Sequence, residues 1–354
     1  MFSSKQIPSG PFMITYSICG LTAESFDPTR RELAAEMARL VSYAELAEAN
    51  GLDGVFVSEH HAVDEGHLSA PFVALGAIAQ ATERVRIGTN IALAPLYHPV
   101  RLAEDVAAVD LLSGGRAVLG IGLGYRPEEF NILGVPRSER SARLTSAILT
   151  LRAAWSGEPI TTSGSEPVRV TPPPLQEPGV PIWVGAFAEV GVRRARRLGD
   201  GFIAPTVSVR AFDKRVGWLA EEGSLDGFDI AVPLNGFVGS GDVWSQVASP
   251  LTYIERRYKR WQVEAADLPR AVEFKDRYEE LGRPPHLVVG NPDECVEQLR
   301  PWVGALGSLP DGARGHLQIR LTYPGIDPEL ARQSVRLFGT EVVPRLREIE
   351  SARS

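Results

Sequence analysis

The chain is poor in the features that mark an oxidising or a membrane setting. Its 354 residues include two cysteines, Cys19 and Cys295, far apart and without metal-ligand spacing. That excludes a disulfide framework and fits a reducing compartment. No apolar run approaches the roughly 18–20 residues that a membrane-crossing helix requires. The opening residues Met1–Gln6 lack the apolar stretch of an export signal, so residues 1–10 read as a loose tail and the protein as cytoplasmic. Positive charge is in deficit: 37 basic against 44 acidic residues, net −7, leave no basic face for nucleic acid. The turn Cys19-Gly20-Leu21-Thr22 lacks a glycine-rich phosphate motif. That argues against an open doubly wound sheet and against a nicotinamide-binding domain of its own.

What is present is an alternation of short apolar strands with amphipathic helices. Residues 31–50 set Leu33, Met37, Leu40, Val41 and Ala44 on one helical face; Gly51-Leu52-Asp53-Gly54 then turns the chain into the strand Val55-Phe56-Val57. The device recurs as a helix over 188–198, the turn Gly199-Asp200-Gly201 and the strand Phe202-Ile203-Ala204. A helix passing through an Asp-Gly turn into a short apolar strand is the joint of a parallel sheet. Further strands are read at Phe12–Ile18, Val85–Gly88, Arg116–Gly120, Pro181–Gly185, Ile230–Leu234 and His316–Leu321, with helices near 99–112 and 139–155. Asn291-Pro292-Asp293-Glu294 is a capping box, and Asp327-Pro328 opens a last helix carrying Val335, Phe338, Val342, Leu346 and Ile349 on one face. About eight β/α units favour a single closed (β/α)8 TIM barrel over residues 1–354. The proline-rich stretch 158–181 reads as a surface insertion, and a lid or dimer arm is expected within 223–285.

In such a barrel the residues just after each strand point into the active site. These are Ser58-Glu59-His60-His61 after the second strand, Thr89-Asn90 after the third, Gly120–Arg126 after the fourth and Gly185-Ala186-Phe187 after the fifth. Histidine titrates in the range useful for moving protons. Glycines at 122 and 124 let backbone approach a ligand closely. The unpaired N–H groups of the helix after Gly185 suit a phosphate, and Arg126 could add a charged hydrogen bond.

Several of these segments resemble the bacterial luciferase-like family of flavin-dependent oxidoreductases. They are Glu59-His60-His61; the run His98-Pro99-Val100-Arg101-Leu102-Ala103-Glu104-Asp105; Asp110–Arg116; Gly120-x-Gly122-x-Gly124; Glu129-Phe130 before Gly134; Ile182-Trp183-Val184-Gly185; and Gly290–Cys295. The resemblance spans roughly residues 12–330 and is most specific over 85–134. It implies a flavin monooxygenase in which reduced FMN, or alternatively the deazaflavin coenzyme F420, lies in the barrel mouth beside strand three. There a non-proline cis peptide maps to Thr89-Asn90. It implies His61 and His60 as acid/base residues with Glu59 as their orienting group, and Phe56 and Leu96 as apolar walls that keep water out. The flavin would contact Thr89, Asn90, Gly122, Gly124, Arg126, Gly185, Ala186 and Phe187. It further implies O2 as co-substrate, a separate flavin reductase as partner, and a homodimer through the helices at 31–47 and 99–112, where Ala103, Ala107 and Ala108 allow close packing. Two departures stand out. Gly122 and Leu123 replace the cysteine and arginine of luciferases proper, and Ala186-Phe187 stand where many relatives have serine or threonine. Phosphate recognition then leans on backbone N–H groups and Arg126, and aldehyde light emission is not expected.

Rival readings are definite. Glu59, His60, His61, Asp64 and His67 are dense enough in ligand atoms to suggest a metal-dependent hydrolase, although adjacent histidines at a strand end point apart. A non-catalytic flavin-binding barrel would show a mouth plugged by side chains. Arg126 as an ordinary solvated charge, and His98 as a plain start to a helix, are the bland alternatives.

Overall fold

The computed structural model describes residues 14–26, 29–161, 166–205, 207–265 and 286–352. The expected tail at 1–10, and the part of the expected lid at 266–285, lie outside these residues. The strands are β1 (Thr15–Leu21), β2 (Gly54–Val57), β3 (Arg86–Thr89), β4 (Ala117–Ile121), β5 (Ile182–Gly185), β6 (Gly201–Ile203), β7 (Asp229–Val238), β8 (Val288–Gly290) and β9 (Arg314–Arg320). Pairing runs β1 to β7 in chain order, then β7 to β9 and β9 back to β1, all parallel. Eight strands therefore close a (β/α)8 barrel. The ninth, β8, lies outside the ring and pairs only with the far end of β7, at Gly236–Val238.

Strand periodicity divides the core in two. Val55, Val57, Ile87, Leu119, Ile121, Ile182 and Val184 face outward and pack in the main apolar cluster. Cys19, Phe56, Val118, Trp183, Ile203 and Ala231 alternate with them and fill the lumen as a separate cluster. The Asp-Gly joints have a specific cause. Asp53 Oδ2 accepts from Tyr16 N at 2.7 Å, and Asp200 Oδ2 accepts from Ile182 N at 2.8 Å, so each aspartate ties its joint to the neighbouring strand. The following glycine enters a crowded lumen: a Cβ on Gly201 would lie 2.5 Å from Trp183 Cδ1 and 2.8 Å from Asp229 O.

The helices are α1 (Arg30–Ala49), α2 (Pro71–Ala81), α3 (Pro99–Ser113), α4 (Pro127–Ile132), α5 (Arg140–Trp155), α6 (Glu189–Leu198), α7 (Val209–Ala220), α8 (Val243–Glu264), α9 (Pro292–Gly307), α10 (Pro328–Leu337) and α11 (Val343–Ser351). No described helix is long and apolar enough to cross a membrane. The expected helices are present, and the capping box at Asn291 forms with both of its hydrogen bonds. Some details differ from expectation. The first strand begins at Thr15, with Phe12 outside the described residues, and runs on to Leu21. On α1 the buried face is Leu40, Tyr43, Ala44 and Ala47, while Met37 is exposed. The last helix is broken by a wide turn at Phe338–Val342.

Ala103 and Ala107, expected to serve a dimer contact, are fully buried within the chain's own core; Trp155 Nε1 donates to Ala103 O at 3.2 Å. Ala108, the third of that set, is exposed, as are the larger apolar side chains Val73 of α2 and Leu111 and Leu112 of α3. Within residues 166–181, the Leu175 and Gln176 amides donate to Asp110 Oδ2 at 2.8 and 3.0 Å, which straps this stretch to α3.

Candidate active site

All eight ring strands end at one rim, and the loops leaving them supply the polar residues. After β2 the chain turns sharply, and its two histidines take different partners. His60 Nδ1 donates to Glu129 Oε1 at 2.7 Å, and the same oxygen accepts from His61 N at 3.2 Å. His61 Nε2 donates to Glu59 Oε1 at 2.7 Å. Glu59, 2% exposed, also accepts from Tyr97 Oη at 2.7 Å and, through Oε2, from Leu93 N at 2.7 Å. Glu59 thus ties the loop after β3 to the ring of His61. His60 is oriented instead by Glu129, quoted earlier only as part of the family pattern. Glu129 reaches His60 because Gly124, at φ +70°, turns the chain into α4, whose first turn carries it.

The electrostatics follow from these contacts. Burial pushes the His61 imidazole down, but the hydrogen bond and charge of Glu59, with Glu129 beyond, leave it above its ordinary value. Burial pushes the Glu129 carboxyl up, but the His60 bond and charge, the His61 amide and Arg126 hold it below the usual range. His67 is driven well down by burial, next by His60 and then by Arg257, Arg320 and Arg126. It packs edge-on to His60 with 4.9 Å between ring centroids, and its Nε2 contacts Glu24 Oε1.

The other expected contacts divide. Asn90 faces the lumen, where its Nδ2 donates to Gln318 Oε1 at 2.6 Å across the mouth. Thr89 turns outward, and its Oγ1 donates to Gly120 O at 2.6 Å, sealing β3 to β4. The cis peptide lies one bond later than expected, at Asn90-Ile91. At Gly122 and Gly185 the first atoms an added Cβ would meet belong to the Ile91 side chain, at 2.0 and 3.3 Å. Phe187 is half exposed, and its carbonyl accepts from Arg215 Nη2 at 3.0 Å. Ala188 caps α6 without a side-chain acceptor. His98 is exposed at the start of α3 and makes no capping bond.

Arg126 is no solvated charge: it is 5% exposed. Its Nη1 donates to His61 O at 2.7 Å, it lies 3.5 Å from Glu129 Oε1, and its guanidinium sits 4.3 Å from the centre of the Trp261 ring. Its donors are directed to the β2 loop. Among the described residues no three His, Cys, Asp or Glu side chains converge as a metal site would require, so the dense acidic-histidine sequence does not form one.

Sequence reasoning missed the contribution of α8, which belongs to the stretch expected to hold a lid. Tyr253, Arg257, Tyr258 and Trp261 recur at helical spacing and come over the mouth. Trp261 lies 5.1 Å from the His60 ring and Tyr258 5.7 Å. Spacings of four between aromatic and cationic residues (Tyr253, Arg257, Trp261) were the available signal.

The sequence profile of the family described as luciferase-like monooxygenase matches residues 17–308. An F420-dependent glucose-6-phosphate dehydrogenase from Amycolatopsis mediterranei is 28% identical over 88% of this chain and 95% of its own length. A 4-hydroxyprotoasukamycin monooxygenase from Streptomyces nodosus is 26% identical over 90% and 89%. A second glucose-6-phosphate dehydrogenase of this kind, from Beutenbergia cavernae, is 39% identical, but over 46% of this chain and 51% of its own length. Among solved structures, the monooxygenase RslO1 from Streptomyces bottropensis superposes with a TM-score of 0.76 at 22% identity, covering 94% of this chain and 99% of that one. The F420-dependent tetrahydromethanopterin reductase from Methanopyrus kandleri gives 0.70 at 17%, with the same coverage. These two structures agree with the closed barrel. With the profile spanning most of its length, the chain belongs to the luciferase-like monooxygenase family of oxidoreductases.

Proposed function

We propose that this chain is the oxygenase of a two-component system, taking reduced FMN from a separate flavin reductase and using O2 to oxygenate a small organic substrate at the barrel mouth. One observation carries the reading. The His60–Glu129 pair stands among buried polar atoms that have no hydrogen-bond partner: Ser58 Oγ, Tyr125 Oη, Glu129 Oε2 and Gln318 Nε2. Buried polar groups are ordinarily paired, so a set of unpaired ones at one rim points to a polar ligand. The glycines at 122 and 185 make room for the Ile91 side chain, which follows the cis peptide and lies against both.

Bound reduced FMN would supply the electrons that activate O2. The residues of this chain do the rest. Glu129 fixes the Nδ1–H tautomer of His60 and leaves Nε2 to hold or move a proton. His61, held by Glu59, carries positive charge more readily than a free histidine and favours developing negative charge nearby. Asn90 and Gln318 offer amide groups to the ring edge. The backbone at Gly122, Gly124, Gly185, Ala186 and Phe187, with the first turn of α6, would receive the phosphate. Thr89 supports this edge from behind, and Arg126 steadies the β2 loop. Trp261 and Tyr258 help exclude water.

Hydride transfer with coenzyme F420 is the second reading, favoured by the dehydrogenase from Amycolatopsis mediterranei that matches along most of the chain. Anaerobic titration with reduced FMN and with reduced F420, followed by mixing with O2, separates the two. Tight binding of reduced FMN, and a transient absorbance on oxygenation that belongs to neither the reduced nor the oxidised form, is expected. Binding of F420 alone, without reaction with O2, would overturn the first reading. We also propose a homodimer, with the exposed Val73, Leu111 and Leu112 of α2 and α3 as its apolar face; sedimentation of the wild type and of a Leu112→Glu variant tests it. A cytoplasmic setting is consistent with the reducing chemistry this reaction requires.

A further inference from the structure

We propose that the substrate carries an oxyanion, a carboxylate or a phosphate, and that Arg257 of α8 receives it as the specificity-determining residue. This rests on the reading of the barrel mouth as the reaction site. Arg257 is 4% exposed, and neither of its terminal nitrogens makes a hydrogen bond. Its nearest carboxylates are Glu65 Oε2 at 3.2 Å and Glu24 Oε1 at 3.7 Å, ion-pair contacts without hydrogen-bond alignment. Glu24 is already committed elsewhere: Arg320 Nη2 donates to it at 3.1 Å, and His67 contacts its other oxygen. A buried guanidinium with idle donors is costly, and its planar fork matches two oxygens of one anion.

The position of Arg257 ties it to the reacting groups. Its guanidinium lies 4.6 Å from the centre of the Trp261 ring, and the same ring stands 5.1 Å from His60. Arg257 and His60 therefore flank one indole, and a molecule held at Arg257 extends along Trp261 toward His60 and the unpartnered Tyr125 hydroxyl. Arg126 also lies against Trp261, at 4.3 Å, so two cations share one aromatic ring. The groups facing this corner are Arg126, Arg257 and Arg320 against Glu24, Glu65 and Glu129. Unused donors, rather than surplus charge, mark this corner. Glu65, whose side chain is 25% exposed, is the carboxylate an incoming anion would displace from Arg257; the Tyr253 hydroxyl, which donates to its other oxygen, keeps it anchored.

The test uses matched pairs on the full chain: glucose 6-phosphate with glucose, and benzoate with benzamide. Binding is read by tryptophan fluorescence and by the shift in melting temperature, with reduced FMN and reduced F420 titrated separately into the same preparations. At least one charged member is expected to bind saturably and its neutral partner to bind at least about tenfold more weakly. Arg257→Gln is expected to erase that difference and Arg257→Lys to restore part of it, with cofactor affinity unchanged. Equal binding of charged and neutral partners, or full retention of anion binding in Arg257→Gln, overturns the proposal. So does the absence of binding by either anion up to about 10 mM. If Arg257→Gln does not fold, the wild-type pairs still decide. Loss of cofactor binding alone would sink the proposed function and leave the anion result readable.

Discussion

Replacing Glu59 by glutamine isolates what the buried carboxylate does for His61. Glu59 accepts three hydrogen bonds, from His61 Nε2, Tyr97 Oη and Leu93 N, each at 2.7 Å. The Leu93 amide can only donate, so the glutamine oxygen must face it. The glutamine NH2 group then faces Tyr97 and His61. A hydroxyl can rotate to accept, and a neutral imidazole can shift its proton to Nδ1. All three contacts survive, but only with His61 neutral. The loss is the charge assistance of three bonds, roughly 2–3 kcal/mol in total, or on the order of 5 °C in melting temperature. Glu59→Ala would instead strand all three donors at about 1–3 kcal/mol each, a large part of the 5–15 kcal/mol typical of a whole domain.

The pH dependence carries the sharper test. In the wild type the folded His61 value is raised, so its contribution to stability is fully present below the unfolded value of about 6.5 and is lost as pH rises through the folded one. In Glu59→Gln the two largest raising influences vanish, burial then prevails, and the contribution reverses sign. The difference in melting temperature between wild type and variant should therefore shrink as pH rises from about 5.5 to about 8.5. Histidine ring-proton shifts, assigned with His61→Gln, should show the His61 midpoint moving down. A difference flat across that range, or an unmoved midpoint, would refute the assignment of Glu59 as the group that charges His61.

Two other predictions follow from the same rim. His60→Gln should lower kcat about 10²–10⁴-fold with reduced-cofactor affinity nearly unchanged, and Glu129→Gln, acting through His60, about 10–100-fold; stopped-flow turnover with equilibrium cofactor titration checks both, and equal losses in affinity and rate would reassign them to binding. Gly120→Ala should abolish or severely impair folding, because its Cβ would lie 2.0 Å from the Thr89 carbonyl oxygen. Gly122→Ala meets only the Ile91 side-chain tip and should cost about 1–3 kcal/mol. Urea denaturation of the two variants distinguishes them, and similar midpoints would contradict the geometry.

Local sequence encodes the ring. Strand runs such as Val55-Phe56-Val57, the Asp-Gly joints at 53–54 and 200–201 and the capping box at 291 are encoded by neighbours in the chain, so local periodicity and turn chemistry sufficed. It also set Glu59, His60 and His61 at the rim, because a parallel barrel gathers its post-strand residues at one end. Tertiary structure alone decided the partners. His60 pairs with Glu129, 69 residues on, and Asn90 with Gln318, 228 residues on. Such pairs depend on closure and register, which no local window contains. Arg126 reads as a surface residue by default, and tertiary contacts with Trp261 of α8, the His61 carbonyl and Glu129 accompany its burial. The position of α8 over the mouth was likewise hidden, since its aromatic and cationic spacing says that a face exists but not which surface it covers.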